Sequence, residues 1–418
     1  MESFNQAAHS GKAFVAASKI RNEFPIFHNL REPFIYLDNA ATTQKPRSVI
    51  ERMEKFYFYE NANIHRGLYP LSTKASDVYE EARDTVREWI DAESAEEVVF
   101  TKSSTEAVNL AAAALFESRI RSGGNVVVTE LEHSSNYFPW EHQCTRNGCE
   151  FRVAKANGTG EISEKEILKH IDSGTSLIAV TGMSNATGVM PALERLIRKA
   201  HEQSIPVFVD ATQLIAHRKI SVRKLDCDLL CFSGHKLYGP MGVGVLYGKK
   251  ELLTQMAPFL YGGDMVQLGD RRKIQFREDP GKYEAGTQNI AGAAGLAAAI
   301  KFLERNRFEA ELLPYEKQLS VYLAKKMEQI PGLVKSGPKE KISSIYSFSL
   351  KDCAAYDIGV FLAASGIAVR SGAHCAYPLM KRMGQEATVR ISLSFYNTTE
   401  DINLLADRLR VLAERVCG

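Results

Sequence analysis

The chain reads as an α/β protein in which a large domain on a mainly parallel sheet is followed by a smaller α+β domain. Three observations predict this. Short β-rich runs alternate with helical stretches between about residues 96 and 300. Those runs are apolar at successive positions, as strands covered on both faces must be. After residue 300 the texture changes to a long helix, then strand-like runs, then a last helix.

The elements follow in order. An amphipathic helix over about 76–92 places Val78, Ala82, Val86, Trp89 and Ile90 on one face. Strands are expected at "EEVVF" (96–100), "NVVVTE" (125–130), "SLIAVTG" (176–182), "IPVFVDA" (205–211), "CDLLCFS" (227–233) and "VGVLYG" (243–248). A helix around 309–329 precedes strand-like "SSIYSFSL" (343–350) and "TVRISLSFY" (388–396). The last helix opens on Thr398 with Asp401 three residues on, a capping-box pattern, and lines up Ile402, Leu405, Ala406, Leu409 and Leu412. The expected division is 30–300 for the large domain, with 1–29 and 301–418 forming the small one.

Composition narrows the function classes. At 45% hydrophobic and 24% charged residues the 418-residue chain is an ordinary globular one. A formal charge of +2 with no concentrated Lys/Arg run gives no sign of a nucleic-acid partner. "AGAAGLAAAI" (291–300) is too short and glycine-broken to span a bilayer, and "MESFNQAAHSGKAFVAASK" shows no apolar secretory segment. Seven cysteines (144, 149, 227, 231, 353, 375, 417) make an odd count with no CxxC pair, so a reducing cytoplasm is expected. Cys227 and Cys231 are expected in the core. The ten histidines lack metal-ligand spacing, no GxGxxG occurs, and "GPMGVGVLYGKK" lacks the spacing and Ser/Thr of a P-loop.

In an open parallel sheet, ligands gather at the carboxyl ends of strands. Five such ends are chemically loaded. "TKSSTEAVNL" puts Ser104 and Thr105 at a helix start, where hydroxyls and free N–H groups can hold a phosphate or simply cap the helix. "LEHSSN" supplies His133, "MSNATG" Asn185, "VFVDATQ" Asp210 and Gln213, and "FSGHKLYGP" His235 and Lys236. Alone, each is an ordinary capping or surface residue. Together they suit pyridoxal 5′-phosphate, which needs a lysine amine to join its aldehyde, an anion site, and an acid to keep its ring nitrogen protonated. Lys236, the Ser104–Thr105 helix start and Asp210 would fill those roles, with His133 flat on the ring and Asn185 and Gln213 at the ring oxygen. The segment "VRSGAHCAYPLM" (369–380) leaves Cys375 open at this point, as a structural thiol or a reactive one.

In this order and spacing, "YLDNAATTQKP", "NIHRGLYPLS", "SSTEAVNL", "EHSSNYFPW", "SNATG", "VDATQ", "FSGHKLYGPMGVGVLYG", "YEAGTQN", "RSGAHCA" and "RISLSFYNT" resemble the group II, Suf-type cysteine desulfurases and their selenocysteine-lyase relatives. These belong to the class V aminotransferases, fold-type I pyridoxal phosphate enzymes. The resemblance implies a seven-stranded, mainly parallel sheet, with Lys236 carrying the cofactor, His133 stacked on it and Asp210 at its ring nitrogen. Asn185 and Gln213 would contact the pyridoxal, and Ser104, Thr105, Ser233 and His235 would hold the phosphate. Thr287 would reach the phosphate from a partner subunit, implying a homodimer. Arg390 would grip the substrate carboxylate, a bidentate task for a guanidinium, with Asn185 and Arg370 nearby. Cys375 would be the nucleophile that takes the sulfur of L-cysteine as a persulfide for an acceptor protein, in iron–sulfur cluster or other assembly. Arg370 and His374 are expected to make its surroundings electropositive, and Gly372 and Pro378 to shape a loop around it.

Three positions depart from the family pattern. Ala373 stands where a histidine is usual, Tyr377 where a smaller or polar residue is common, and Ser103 where glycine is common before the phosphate loop. Selenocysteine lyase, another carbon–sulfur lyase or an aminotransferase of a specialised pathway remain alternatives, as does a non-catalytic partner in sulfur transfer, although Lys236 and Asp210 are both present.

Overall fold

The computed structural model describes residues 19–30, 34–267 and 275–417. The reading of the first eighteen residues lies outside them, as does the side chain of Cys417.

After a one-turn helix at Ile26–Asn29 and the short strand Ile35–Tyr36, helix α1 (Arg47–Tyr59) and helix α2 (Pro70–Ile90) follow. Val78, Ala82, Val86, Trp89 and Ile90 are buried along α2, as expected. The helix begins six residues earlier than the periodicity suggested because Pro70 occupies its first turn, where a missing N–H costs nothing. The strands β1 (Val98–Thr101), β2 (Asn125–Thr129), β3 (Glu150–Ala154), β4 (Thr175–Thr181), β5 (Val207–Asp210), β6 (Leu229–Ser233) and β7 (Gly244–Gly248) form one sheet in the order β1-β7-β6-β5-β4-β2-β3. Every neighbouring pair from β6 to β3 is parallel; β7 runs antiparallel to both β1 and β6.

Period-2 alternation explains the two cores. Val98, Phe100, Val127, Ile178, Val180, Val207, Val209, Leu230 and Phe232 face α2 and helix α6 (Ile290–Arg305). Val99, Val126, Val128, Leu177, Ala179, Phe208, Leu229 and Cys231 face helices α3 (Ser104–Ser118) and α4 (Ser134–Asn147). Cys227 and Cys231 are core residues, each 0% exposed, as expected. β3 had no counterpart in the sequence reading. It is an edge strand whose outer residues stay part-exposed, and "EFRVA" carries charges where an apolar run would have flagged it. "AGAAGLAAAI" is the body of α6, packed on α1 and α2.

The expected helix over 309–329 is a π-helical turn at Phe308–Leu312 followed by α7 (Leu313–Met327); Pro314 at its start cannot donate to the preceding turn, which is why the regular helix begins there. A second, antiparallel sheet holds β8 (Leu333–Ser336), β9 (Ile345–Leu350), β10 (Arg370–Gly372) and β11 (Thr388–Ser392), in the order β8-β9-β11-β10. β11 stops at Ser392, so only part of the run 388–396 is strand; Leu393, Phe395 and Tyr396 are buried in a turn instead. Helix α8 (Ala355–Ala364) lies under β10, and α9 (Thr399–Cys417) closes the chain. Its capping box is present: Asp401 N–H donates to Thr398 Oγ1 at 3.3 Å, and Thr398 N–H donates to Asp401 Oδ2 at 3.2 Å. Two links tie the early chain to this region: Ile35–Tyr36 pairs in parallel with Ile367–Ala368 as a separate two-stranded sheet, and Asp38 bridges to Ser392 of β11.

No helix among the described residues is long and apolar enough to cross a membrane.

Candidate active site

A cavity of about 510 Å³ opens at the carboxyl ends of β4, β5 and β6, walled on its other side by residues 370–377 and Arg390. It collects Ser104, Thr105, His133, Asn185, Asp210, Gln213, Ser233, His235, Lys236, Arg370, Cys375 and Arg390. Thr287 is not among them. It is exposed and lines a separate cavity of about 150 Å³ beside Phe100 and Gly242.

One end of the cavity is a hydroxyl cradle. Ser104 opens α3; its N–H donates to Ser233 Oγ at 2.8 Å, and the two hydroxyls stand 2.7 Å apart. Thr105 and Ser135 hydroxyls meet at 2.9 Å. Gly244 allows this closeness: a Cβ there would lie 2.6 Å from the Ser103 backbone. Four hydroxyls gathered at a helix start, with its positive dipole end, make an anion site.

The middle of the cavity holds the acid, the amide and the ring. Asp210 ends β5, where its Oδ1 accepts from the Thr212 N–H at 2.9 Å and from the Thr212 hydroxyl. Gln213 donates to the Ala40 carbonyl at 2.7 Å. His133 caps α4, its Nδ1 accepting from the Ser135 N–H at 3.1 Å. Burial and the neighbouring Lys236 push its pKa down to about 4, so the neutral ring carries its proton on Nε2. Beneath it Glu132 is wholly buried, with Thr129 and Asn136 each donating to it at 2.6 Å; burial pushes its pKa up to about 8.

Lys236 sits on the turn Gly234–Lys236, its amine free of hydrogen bonds among the described residues. Burial first, then Arg390, lower its pKa to about 8. The turn is fixed through one atom. The His235 carbonyl accepts from the Thr43 N–H, the Thr42 and Thr43 hydroxyls (3.1 Å each) and Lys45 Nζ at 2.8 Å.

Beyond Lys236 the cavity is cationic. Arg390, 2% exposed on β11, donates to the Asn185 carbonyl at 2.9 Å and to Asp38 at 3.3 Å, while its Nε has no partner. Arg370 grips the same Asp38 with three contacts of 2.7 to 3.2 Å. Cys375 is exposed at the rim, beside Tyr377. Two expectations need correction here. His374 is buried, its Nε2 against the Thr388 hydroxyl at 2.8 Å, and burial with the two arginines drives its pKa to about 3; it is neutral and adds no positive charge near Cys375. Gly372 does not sit in a free loop but ends β10, at φ +132°.

The donor set fits pyridoxal phosphate. Buried atoms without partners, Asn185 Oδ1, His235 Nδ1 and Arg390 Nε, belong to residues around the cavity that holds an unpartnered amine, a buried acid and the hydroxyl cradle. No cluster of His, Cys, Asp and Glu suited to a metal ion occurs among the described residues. Sequence reasoning assigned nothing to Asp38, Thr42, Thr43, Lys45, Glu132, Ser134 or Ser135. The signal was there in "YLDNAATTQKP" and "EHSSN", but Asp38, Thr42, Thr43, Lys45 and Ser134 act through segments about 190 to 350 residues away, while Glu132 and Ser135 bond nearer in sequence.

Residues 35–405 match the aminotransferase class-V family. A cysteine desulfurase of Synechococcus elongatus is 40% identical over 96% of this chain, which spans 65% of that relative's length. A probable cysteine desulfurase of Halalkalibacterium halodurans is 38% identical over 95% of this chain and 98% of its own. The solved apo structure of a cysteine desulfurase from Thermococcus onnurineus is 35% identical, with a TM-score of 0.89 covering 96% of this chain and 98% of that one.

Proposed function

Because the chain belongs to the class-V aminotransferase family, we propose that it binds pyridoxal 5′-phosphate and desulfurates L-cysteine, leaving the sulfur as a persulfide on Cys375. The observation that carries this is the exposed thiol at the rim of the cavity whose floor holds Lys236, Asp210 and the hydroxyl cradle. When bound, the cofactor supplies an electron sink for cleavage beside the substrate's α-carbon.

This chain's residues do the rest. Ser104, Thr105, Ser233 and His235 hold the phosphate, and Asp210, oriented by Thr212, holds the ring nitrogen. His133 would face the ring, and Asn185 and Gln213 would contact the pyridoxal. Lys236 holds the cofactor and, when released, carries the substrate's α-proton; a pKa of about 8 keeps a useful share of it neutral near physiological pH. Arg390 takes the substrate carboxylate with its free Nε edge. The Cys375 thiolate then attacks the substrate sulfur: a sulfur–sulfur bond forms, the carbon–sulfur bond breaks with its electrons left on carbon, and that carbon is protonated. In balance, Cys375–SH and L-cysteine give Cys375–S–SH and L-alanine.

The exposure of Cys375 leaves the persulfide within reach of a thiol on an acceptor protein. Thr287, outside this chain's own cavity, would complete the phosphate site of a second subunit in a homodimer. Cys144, Cys149, Cys227, Cys231 and Cys375 carry free thiols, which suits a reducing cytoplasm. Mass spectrometry after incubation with L-cysteine tests the reading. One added sulfur should appear on the Cys375 peptide and vanish in Cys375→Ser, with cofactor binding intact. Unchanged alanine formation in that variant ends the nucleophile assignment.

A further inference from the structure

Cys375 stands in an improbable piece of backbone. The Ala376 N–H donates to the Ala373 carbonyl at 3.0 Å, closing a four-residue turn whose central residues are His374 (φ 55°) and Cys375 (φ 54°). Positive φ at both central positions marks a turn that glycine or asparagine fills readily and that other L-residues enter only under strain. These are the only two consecutive non-glycine residues with positive φ among the described residues. Within the turn only that one bond opposes the strain. Further support reaches in from the loop after β4 and from the start of α4. Asn185 Nδ2 donates to the His374 carbonyl at 2.6 Å. Ser134 donates twice to the Cys375 carbonyl, through its N–H at 2.8 Å and its hydroxyl at 2.9 Å.

We propose that Ser134 is a positioning residue for Cys375. Its two donors hold the strained 373–376 turn closed, and so fix where the sulfur stands over the cavity. The consequence for turnover rests on the desulfurase reading; the hold on the turn does not. Ser134 directly follows His133, so one helix start fixes both the ring that faces the cofactor and the backbone of the thiol. Asn185 makes the second link from the same cavity wall.

A selective variant exists. Ser134 is the first residue of α4, where proline is well tolerated, and His133 already has the extended ψ of 148° that a following proline requires. Ser134→Pro therefore removes both donors while suiting the helix; Ser134→Ala removes the hydroxyl only, and Ser134→Thr keeps both. In the holoenzyme, hydrogen exchange at the Ala376 amide should quicken roughly 2- to 10-fold in Ser134→Ala and further in Ser134→Pro. Persulfide-dependent kcat should fall in the same order with KM for L-cysteine within about twofold, because Arg390 is untouched. Ser134→Thr should behave as wild type. Unchanged exchange in Ser134→Pro overturns the proposal, as does faster exchange with unchanged kcat. Faster exchange in a chain whose wild type forms no persulfide leaves the hold on the turn standing and removes the desulfurase reading instead.

Discussion

Glu132 offers the sharpest test of the electrostatics under the cavity. Its carboxyl is 0% exposed and lies in a buried chain in which Trp140 donates to Asn136 at 3.0 Å, Asn136 donates to Glu132, and the Thr129 hydroxyl meets its other oxygen. Burial, the dominant cause, and the nearby Asp210 raise its pKa from an ordinary 4.5 to about 8 despite those hydrogen bonds. Folding therefore traps a proton. Below about pH 4.5 both states hold it and the fold keeps its full stability. Between 4.5 and 8 the unfolded chain releases the proton while the folded one does not, so stability falls as pH rises. At about 1.4 kcal/mol per pH unit, the loss from about pH 5 to 7.5 is roughly 3 kcal/mol. Glu132→Gln keeps an oxygen for Asn136, offers an N–H to Thr129 and does not titrate. Urea unfolding of both proteins at the two pH values should show wild type losing about 3 kcal/mol relative to the variant. The infrared band of a protonated carboxyl should also be present at neutral pH in wild type and missing in Glu132→Gln. A double difference within about 1 kcal/mol of zero, with no such band, would refute a neutral acid there.

Two further substitutions separate binding from chemistry. Arg390→Lys removes planar, two-pronged recognition from a buried site and should raise KM for L-cysteine roughly 10- to 100-fold, measured by steady-state alanine formation; an unchanged KM removes Arg390 from the carboxylate. Lys45→Met deletes the buried amine donor at the His235 carbonyl, so the Lys236 turn should loosen and cofactor titration should give a Kd roughly 3- to 10-fold weaker, with Cys375 alkylation unaffected; equal affinity refutes the anchoring role.

What was legible in the sequence divides by range. Strand ends announce themselves because an apolar run stops abruptly at polar residues, as at Asp210 after "VFV" and at His235 and Lys236 after "DLLCFS", so those residues on the floor of the cavity could be named from local pattern, whereas Ser233 came only with the family resemblance. β3 could not, since an edge strand with Glu150 and Arg152 has no need of an apolar run. The rim was least legible. His374 reads as a charge donor beside a cysteine, yet its contact with Thr388 and its burial come from β11 folding back alongside β10, a pairing that no local pattern reports. The hold of Ser134 on residue 375 spans 241 positions. Ala373, in a position where histidine was expected, supplies to that turn only the backbone carbonyl that closes it.

The charges around the cavity explain why that rim matters. Three imidazoles (His133, His235 and His374) are all driven neutral, by burial and by the nearby cations Lys236, Lys45, Arg370 and Arg390. Positive charge is thereby left to Arg370, Arg390 and the partly protonated Lys236 and Lys45, and Asp38 answers the two arginines at once. A substrate carboxylate arriving at Arg390 competes with Asp38 for Nη2 but not for Nε, which has no protein partner. Asp38 also keeps Arg370, so displacing it from Arg390 leaves it paired. The substrate can therefore be gripped without leaving the part-buried Asp38 carboxylate unpaired, a cost that grows as water is excluded from the site.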